Sequence, residues 1–326
     1  MNRRQVLTAA AAATLLPAAL APFASRAQGG IPNPMRLVVG FPPGGGTDMV
    51  SRLLAQKLGA MWNISVVVEN RAGAAGVIAA DYVVKQPADG SCLLMTNFSN
   101  HAVAPSLYPK LGYDVDRDFT PIMLAGISPS LLVCRADQPA RTLPAVVERC
   151  RKSPGTVTFG SAGPGSVQHL ALEMFKLRAG IDALHVPYRG SGAMMADLLG
   201  GQIDYSFETM PSATPQVASG KLVAIAQTRL RRSPAQPNVP TVAELGYPGF
   251  DASTWYGLVG PAGLDPALVK RLNTDLNAIL RQPDVVEKMK TYGAEDGGGS
   301  PEHFAAFIDE EKTKWAKVIH DAHVTV

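Results

Sequence analysis

The sequence predicts two α/β units joined by two chain crossings. Three observations carry that prediction. Short β-rich apolar runs alternate with helical periodicities over most of the 326 residues. Two strand-to-helix turns, about 120 residues apart, are built largely from glycine and proline. The chain also closes with two good helices that need a surface to cover, which sends it back to the first unit. Alternating strands and helices imply a parallel sheet covered on both faces. Ligands of such sheets bind at the carboxyl ends of the strands, where both glycine turns stand.

The N-terminus comes first. Residues 1–27 read as a removable export signal: a basic start, Asn2-Arg3-Arg4-Gln5, then the alanine-rich apolar run Leu7 to Leu20, then Ser25-Arg26-Ala27. The Arg3-Arg4 pair fits either a twin-arginine signal or an ordinary secretory one. No cysteine stands beside the cleavage point, so no lipid anchor is expected. The mature chain then begins at Gln28. The signal holds three arginines and no acid, so the net charge of +3 falls to zero on its removal. A neutral chain without basic, aromatic-laced stretches excludes nucleic acid as a partner class. No later run of eighteen apolar residues exists, so the mature chain is expected to be soluble.

In the first unit, Leu37 to Gly40 reads as a strand, Asp48 to Met61 as a helix and Ile64 to Glu69 as a strand. Gly76 to Lys85 is helical and stops at the turn Gln86-Pro87-Ala88-Asp89-Gly90; Cys92 to Thr96 is again strand. Leu131 to Cys134 is a strand and Leu143 to Arg151 a helix. A second series follows: strand Val157 to Ser161, helix Ser166 to Ala179, strand Ala183 to Val186, helix Ala193 to Leu199, and short strands Asp204 to Phe207 and Leu222 to Gln227. After a loop from Thr228 to Pro240 come strand Trp255 to Pro261 and the helices Asp265 to Leu280 and Pro301 to Ala322. The expected division is one lobe of residues 28–125 with 251–326, and a second of 126–250. Cys92 and Cys134 lie in apolar strand-like runs and read as buried thiols, with Cys134–Cys150 the candidate bridge; the spacing of the three cysteines gives no zinc pattern.

The turn Phe41-Pro42-Pro43-Gly44-Gly45-Gly46-Thr47-Asp48 is neither a P-loop, since no lysine follows the glycines, nor a G-x-G-x-x-G dinucleotide turn. Its glycines allow close backbone approach, and Thr47 or Asp48 fits a helix cap. In Gly160-Ser161-Ala162-Gly163-Pro164-Gly165-Ser166, Phe159 replaces the first glycine of a hydrolase elbow; Ser166 fits an N-cap. Each turn aims free amides and a helix dipole at one point. Each is also readable as a plain loop. His169 and Glu173 share a helix face but lack a third metal ligand. Arg71 and Arg189 follow strand ends and either face a carboxylate or form surface ion pairs. Asn97 and His101 follow the third strand at the cleft mouth; Trp255 and Tyr256 read as core or hinge packing. For a hydrolase, Ser161 or Ser166 with His169 or His185 are the sole candidates, and no acid partner stands out.

An ordered set of motifs carries a resemblance: Val39 to Asp48, Val68-Glu69-Asn70-Arg71-Ala72-Gly73, Gly165-Ser166-Val167-Gln168-His169, His185-Val186-Pro187-Tyr188-Arg189-Gly190, Gly200-Gly201-Gln202-Ile203-Asp204, Ser219-Gly220-Lys221-Leu222 and Val239-Pro240-Thr241. Together, over essentially the whole mature chain, they resemble the Bug-type, tripartite tricarboxylate transporter receptor family of periplasmic substrate-binding proteins. Ala72, Ser91-Cys92 and Gly263-Leu264-Asp265-Pro266 depart from its usual pattern without removing a glycine turn. The resemblance implies a type II periplasmic binding protein: two Rossmann-like α/β lobes, two hinge crossings and a ligand cleft between. It implies a monomeric, non-enzymatic periplasmic receptor without cofactor or metal. Such a receptor passes a small carboxylate to a tripartite tricarboxylate-type permease or presents it to a sensor protein. The ligand contacts it implies are Phe41, Pro43, Gly44, Gly45, Gly46, Thr47 and Asp48 in the first turn. In the second they are Ser161, Ala162, Gly163, Gly165 and Ser166, with Asn97, His169, Tyr188 and Phe207 beside them. Glu208, in the segment facing the cleft from the second lobe, either repels a second carboxylate or pairs with an amino group.

Overall fold

The computed structural model describes residues 32–325. The predicted export signal lies outside the described residues. The elements run β1 (Met35–Val39), α1 (Gly46–Trp62), β2 (Val66–Asn70), α2 (Val77–Val83), β3 (Cys92–Asn97), α3 (Ala104–Leu107) and β4 (Phe119–Ser128). There follow β5 (Ser130–Arg135), α4 (Leu143–Lys152), β6 (Thr158–Ser161), α5 (Val167–Ala179), β7 (Leu184–Pro187), α6 (Ser191–Gly200), β8 (Tyr205–Thr209), α7 (Met210–Ala218) and β9 (Leu222–Gln227). Last come β10 (Thr254–Pro261), α8 (Pro266–Leu280), α9 (Pro283–Thr291) and α10 (Pro301–Asp321).

Two five-stranded sheets organise these elements, with orders β2-β1-β3-β10-β4 and β7-β6-β8-β5-β9. In the first, β1, β2 and β3 are parallel, as the alternating pattern predicts. The purely parallel expectation fails at the other edge, where β10 runs antiparallel to both β3 and β4. The reason is the path of the chain. Strand β4 leaves the first sheet, passes through Pro129 and enters the second as β5. Strand β10 brings the chain back, so the two crossing strands lie side by side and run in opposite senses. In the second sheet β5 is likewise antiparallel to β8 and β9.

The helices cover both faces. Leu54, Leu58 and Trp62 of α1 pack with Leu272, Leu276 and Ile279 of α8 over one face of the first sheet. On the other face α10 lies against β4 and a π-helical turn, Phe98–Val103. There Trp315 meets Phe98 edge-on with ring centroids 4.6 Å apart. The buried Glu311 is satisfied by the indole N–H groups of Trp255 (3.2 Å) and Trp315 (3.1 Å). The second crossing is tied across the lobes: Arg229, beyond β9, pairs with Glu295 (3.3 Å) and Asp296 (2.5 Å), beyond α9.

Cys92, Cys134 and Cys150 are all free and buried, so the candidate Cys134–Cys150 bridge is absent. Cys134 points from its strand and Cys150 from α4 into the apolar core; burial pushes both thiols up to about 11.

Candidate functional site

Both glycine turns face one cavity between the lobes. Its volume is about 50 Å³, and its lining includes Phe41, Pro43, Gly45, Gly46, Thr47 and Asn97 from the first lobe with Ala162, Ser166 and Gln168 from the second. A larger outer cavity of about 520 Å³ shares Phe41, Pro42 and Ala162 with it and continues past Gly163, Tyr188 and Arg189. The lobes touch where the two cavities meet. A Cβ on Gly190 (φ +117°) would stand 3.0 Å from the Pro42 ring; one on Gly165 (φ +75°) would stand 2.8 Å from Leu107 of the first lobe. Both backbones are in the region that favours glycine, and both approaches leave no room for a side chain.

The first turn is held by Asp48. Its carboxylate accepts Gly44 N–H (3.0 Å), Asn70 Nδ2 (2.9 Å) and a two-pronged bond from Arg52 (2.9 Å each). Asn70 Nδ2 also donates to Phe41 O (2.9 Å). These donors outweigh burial and hold the Asp48 carboxyl below its usual range. The N-cap is Gly45, without a side-chain cap. The cap expected from Thr47 or Asp48 is therefore not made: Asp48 folds back onto Gly44, and Thr47 Oγ1 accepts from Asn97 Nδ2 (3.2 Å). Among the described residues, the first-turn amides of Gly46 and Thr47 have no protein acceptor.

The second turn follows the same plan. Ser166 caps α5, accepting His169 N–H (3.4 Å). Gly163 N–H donates to Ser161 Oγ (3.1 Å), Gly165 N–H to His169 Nδ1 (3.2 Å) and Ser166 N–H to Gly163 O (3.1 Å). Among the described residues, this leaves the amides of Ala162, Val167 and Gln168 without a protein acceptor. Two helix N-termini thus present unpaired N–H groups and positive dipole ends to one cavity from opposite sides, the arrangement that holds an anion.

Several expected contacts stand elsewhere. Gly44 and Gly165 spend their amides inside the turns, and Asp48 holds the loop rather than lining the cavity. Ser161 Oγ is buried against His185 Nε2 (2.7 Å). His169 stacks on His185, ring centroids 3.9 Å apart, behind the turn. Burial pushes His169 down to about 3 and His185 down to about 4, so both rings are neutral at pH 7. Phe207 lies in the core among Phe159, Phe175 and Phe250, because its side chain leaves β8 on the face covered by α5. Gly163 and Tyr188 line the outer cavity only, and Tyr188 OH is engaged by Asp197 (2.8 Å). Arg71 is paired with Glu69 (2.5 Å) and lies over the Tyr82 ring (3.5 Å). His101 is buried behind β4, beside Phe119. Glu173 pairs with Lys176 (3.0 Å).

The sequence reading missed Ser99, Ser191 and Tyr256 as contacts, while Thr209 lies in the segment Phe207 to Ser212 that it set facing the cleft; all four line the cavity. Ser191 and Thr209 stand at strand-to-helix junctions, the same signal that singles out the glycine turns. Tyr256, assigned there to packing, is buried yet sends its hydroxyl to within 2.3 Å of where a Cβ on Gly46 would stand.

Two mixed α/β lobes with a cavity between them, lined by two helix N-termini, are the architecture of a two-lobed solute-binding protein. The model of the tripartite tricarboxylate transporter family receptor matches residues 50–324, and the chain belongs to that family, whose members are receptors rather than enzymes. It is 40% identical over 290 residues to protein BugT of Bordetella pertussis, covering 89% of each chain. Among solved structures it superposes on an R. palustris protein with adipate (TM-score 0.87, 34% identity, 89% of this chain and 97% of that one). It also superposes on MatC of Rhodopseudomonas palustris with bound malate (TM-score 0.82, 32% identity, 87% and 98%). The Bug-type resemblance and the two-lobed fold read from the sequence are borne out.

Proposed function

We propose that the protein is a monomeric periplasmic receptor, exported by residues 1–27, that captures a small carboxylate between its lobes and delivers it to a tripartite tricarboxylate-type permease. One observation carries this reading: the unpaired amides of Gly46, Thr47, Ala162, Val167 and Gln168 converge on a single interlobe cavity. The adipate and malate of the two structural relatives are carboxylates, which supports the choice of anion. Phe41, Pro43, Gly45, Thr47, Asn97, Ala162 and Ser166 then form the inner site, with Gly163 and Tyr188 at its outer extension. Closure turns the body of the first sheet against that of the second about Pro129 and about Asp251–Ser253, as a population shift toward the ligand-bound form. A ligand that binds only the folded state adds RT ln(1 + [L]/Kd), about 2.7 kcal/mol at a hundredfold excess over Kd. Thermal melts and calorimetry against a panel of aliphatic, aromatic and amino carboxylates test this; an unmoved melt across the whole panel overturns it.

A further inference from the structure

The second-lobe wall of the inner cavity has a hydrogen-bond polarity opposite to that of the turns. Glu208, wholly buried at the end of β8, stands behind this wall. Its Oε1 accepts from Thr209 N–H (2.7 Å), Thr209 Oγ1 (2.8 Å), Ser191 Oγ (3.3 Å) and Gln168 Nε2 (3.3 Å). Gln168 Nε2 donates as well to Ser191 Oγ (3.1 Å), so both of its hydrogens are spent. An ionised carboxylate only accepts, and it fixes these directions. Gln168, Ser191 and Thr209 therefore turn their hydrogens toward Glu208 and meet the cavity with an amide oxygen and hydroxyl lone pairs. Among the described residues, two further buried atoms at this place have no partner, Glu208 Oε2 and the Tyr256 hydroxyl. A polar atom buried without a partner is costly, and Tyr256, unlike Glu208, lines the cavity and can turn its hydroxyl to what fills it.

We propose that Glu208 makes this wall a selector for hydrogen-bond donors, so that the ligand is a carboxylate that also bears a hydroxyl or ammonium group. The proposal rests on the carboxylate-receptor reading: the turns take the carboxylate, and the wall takes the donor. Glu208 acts mainly through Gln168, Ser191 and Thr209, as a positioning residue. A bare acid would set methylene groups, or a second negative charge, against a row of acceptors.

The test is calorimetric titration of the purified protein at pH 8 with matched acids differing in one substituent. The sets are succinate, malate and aspartate; butyrate, 3-hydroxybutyrate and 3-aminobutyrate; and 3-phenylpropionate, phenyllactate and phenylalanine. In the set that fits, the hydroxy or amino member should bind about tenfold or more tighter than the bare acid, the scale of one well-made hydrogen bond. Glu208→Met removes the acceptor on which Thr209, Ser191 and Gln168 converge and should cut that ratio to below about threefold. Ser191→Ala should lower the same ratio, and it carries the test if the first variant does not fold. Bare acids binding as tightly as their substituted partners, or a ratio that survives both variants, would overturn donor selection and leave the carboxylate reading standing. If no member of any set binds, the carboxylate reading fails and donor selection fails with it.

Discussion

Replacing Glu208 with glutamine should stabilise the unliganded protein at pH 8 and leave its stability nearly unchanged at pH 4. Burial pushes the Glu208 carboxyl up to about 7, against 4.5 for the free side chain; the bonds from Thr209, Ser191 and Gln168 offset part of the burial. Because the folded-state value is the raised one, the unfolded chain ionises first as pH rises. Stability is then highest below the unfolded value, declines between about 4.5 and 7, and levels off above that. The rise from 4.5 to about 7 corresponds to a loss of about 3 kcal/mol by pH 8. Glutamine keeps the shape and escapes the ionisation. Denaturant unfolding of both proteins at pH 4, 6 and 8 should therefore show a gap that opens with pH and approaches a plateau. A gap that is constant across the three, or of opposite sign at pH 8, would refute a carboxyl held in a low-dielectric wall.

Other expectations follow from the turns. Gly46→Ala places a Cβ 2.3 Å from Tyr256 OH and 3.2 Å from Pro211 of the second lobe; isothermal titration should show about a tenfold or greater loss of ligand affinity, equivalent to about 1.4 kcal/mol. Asp48→Ala releases Gly44 N–H, Asn70 and Arg52 together and should cost about 2 kcal/mol in denaturant unfolding at pH 7. Because the folded Asp48 value is lowered, the wild-type advantage should persist above the unfolded value of 3.8 and fade as pH falls through the folded one. Arg71→Ala should leave affinity within about twofold, because its charge is already met by Glu69 and Tyr82; a large loss would place Arg71 on the ligand.

Much of the fold is legible in the sequence because each local signal agrees with the global one. The helix expected over Asp48 to Met61 begins two residues earlier and ends one later, a fraying-scale difference. The elements missed share one cause. Strand β4 contains Pro121 and Gly126, residue types that weaken a strand signal, but it pairs with β10 through two register shifts that accommodate an irregular edge. Helix α7 holds Pro211 and Pro215: the first sits in its opening turn, where no intrahelical donor is lost, and the second is tolerated within a short nine-residue segment. Helix α9 likewise opens on Pro283. Proline identity alone does not reveal whether it starts an element or breaks one; that depends on which amide needs an acceptor.

The site shows a sharper limit. The glycine turns are visible in one dimension because glycine and proline at a strand-to-helix junction have few other uses. Which of their amides reach a ligand depends on competition from nearby side chains, and that is set in three dimensions. Asp48 takes Gly44, Ser161 takes Gly163 and His169 takes Gly165, so the residues that look most like an anion cradle give their N–H groups to the protein. Among the described residues, the amides left over include those of Gly45, Gly46, Thr47, Ala162, Val167 and Gln168, whose side chains, Gln168 excepted, carry little or no chemistry. An anion-holding pole made this way is nearly indifferent to what lies beyond the carboxylate. Discrimination then has to come from the side chains that do carry chemistry, and in this cavity those gather around Glu208: Gln168, Ser191 and Thr209, with Tyr256 opposite. On the proposed function, a sequence reading drawn to the glycines locates where the carboxylate would be held, and the hydrogens turned toward one buried glutamate would decide which carboxylate it is.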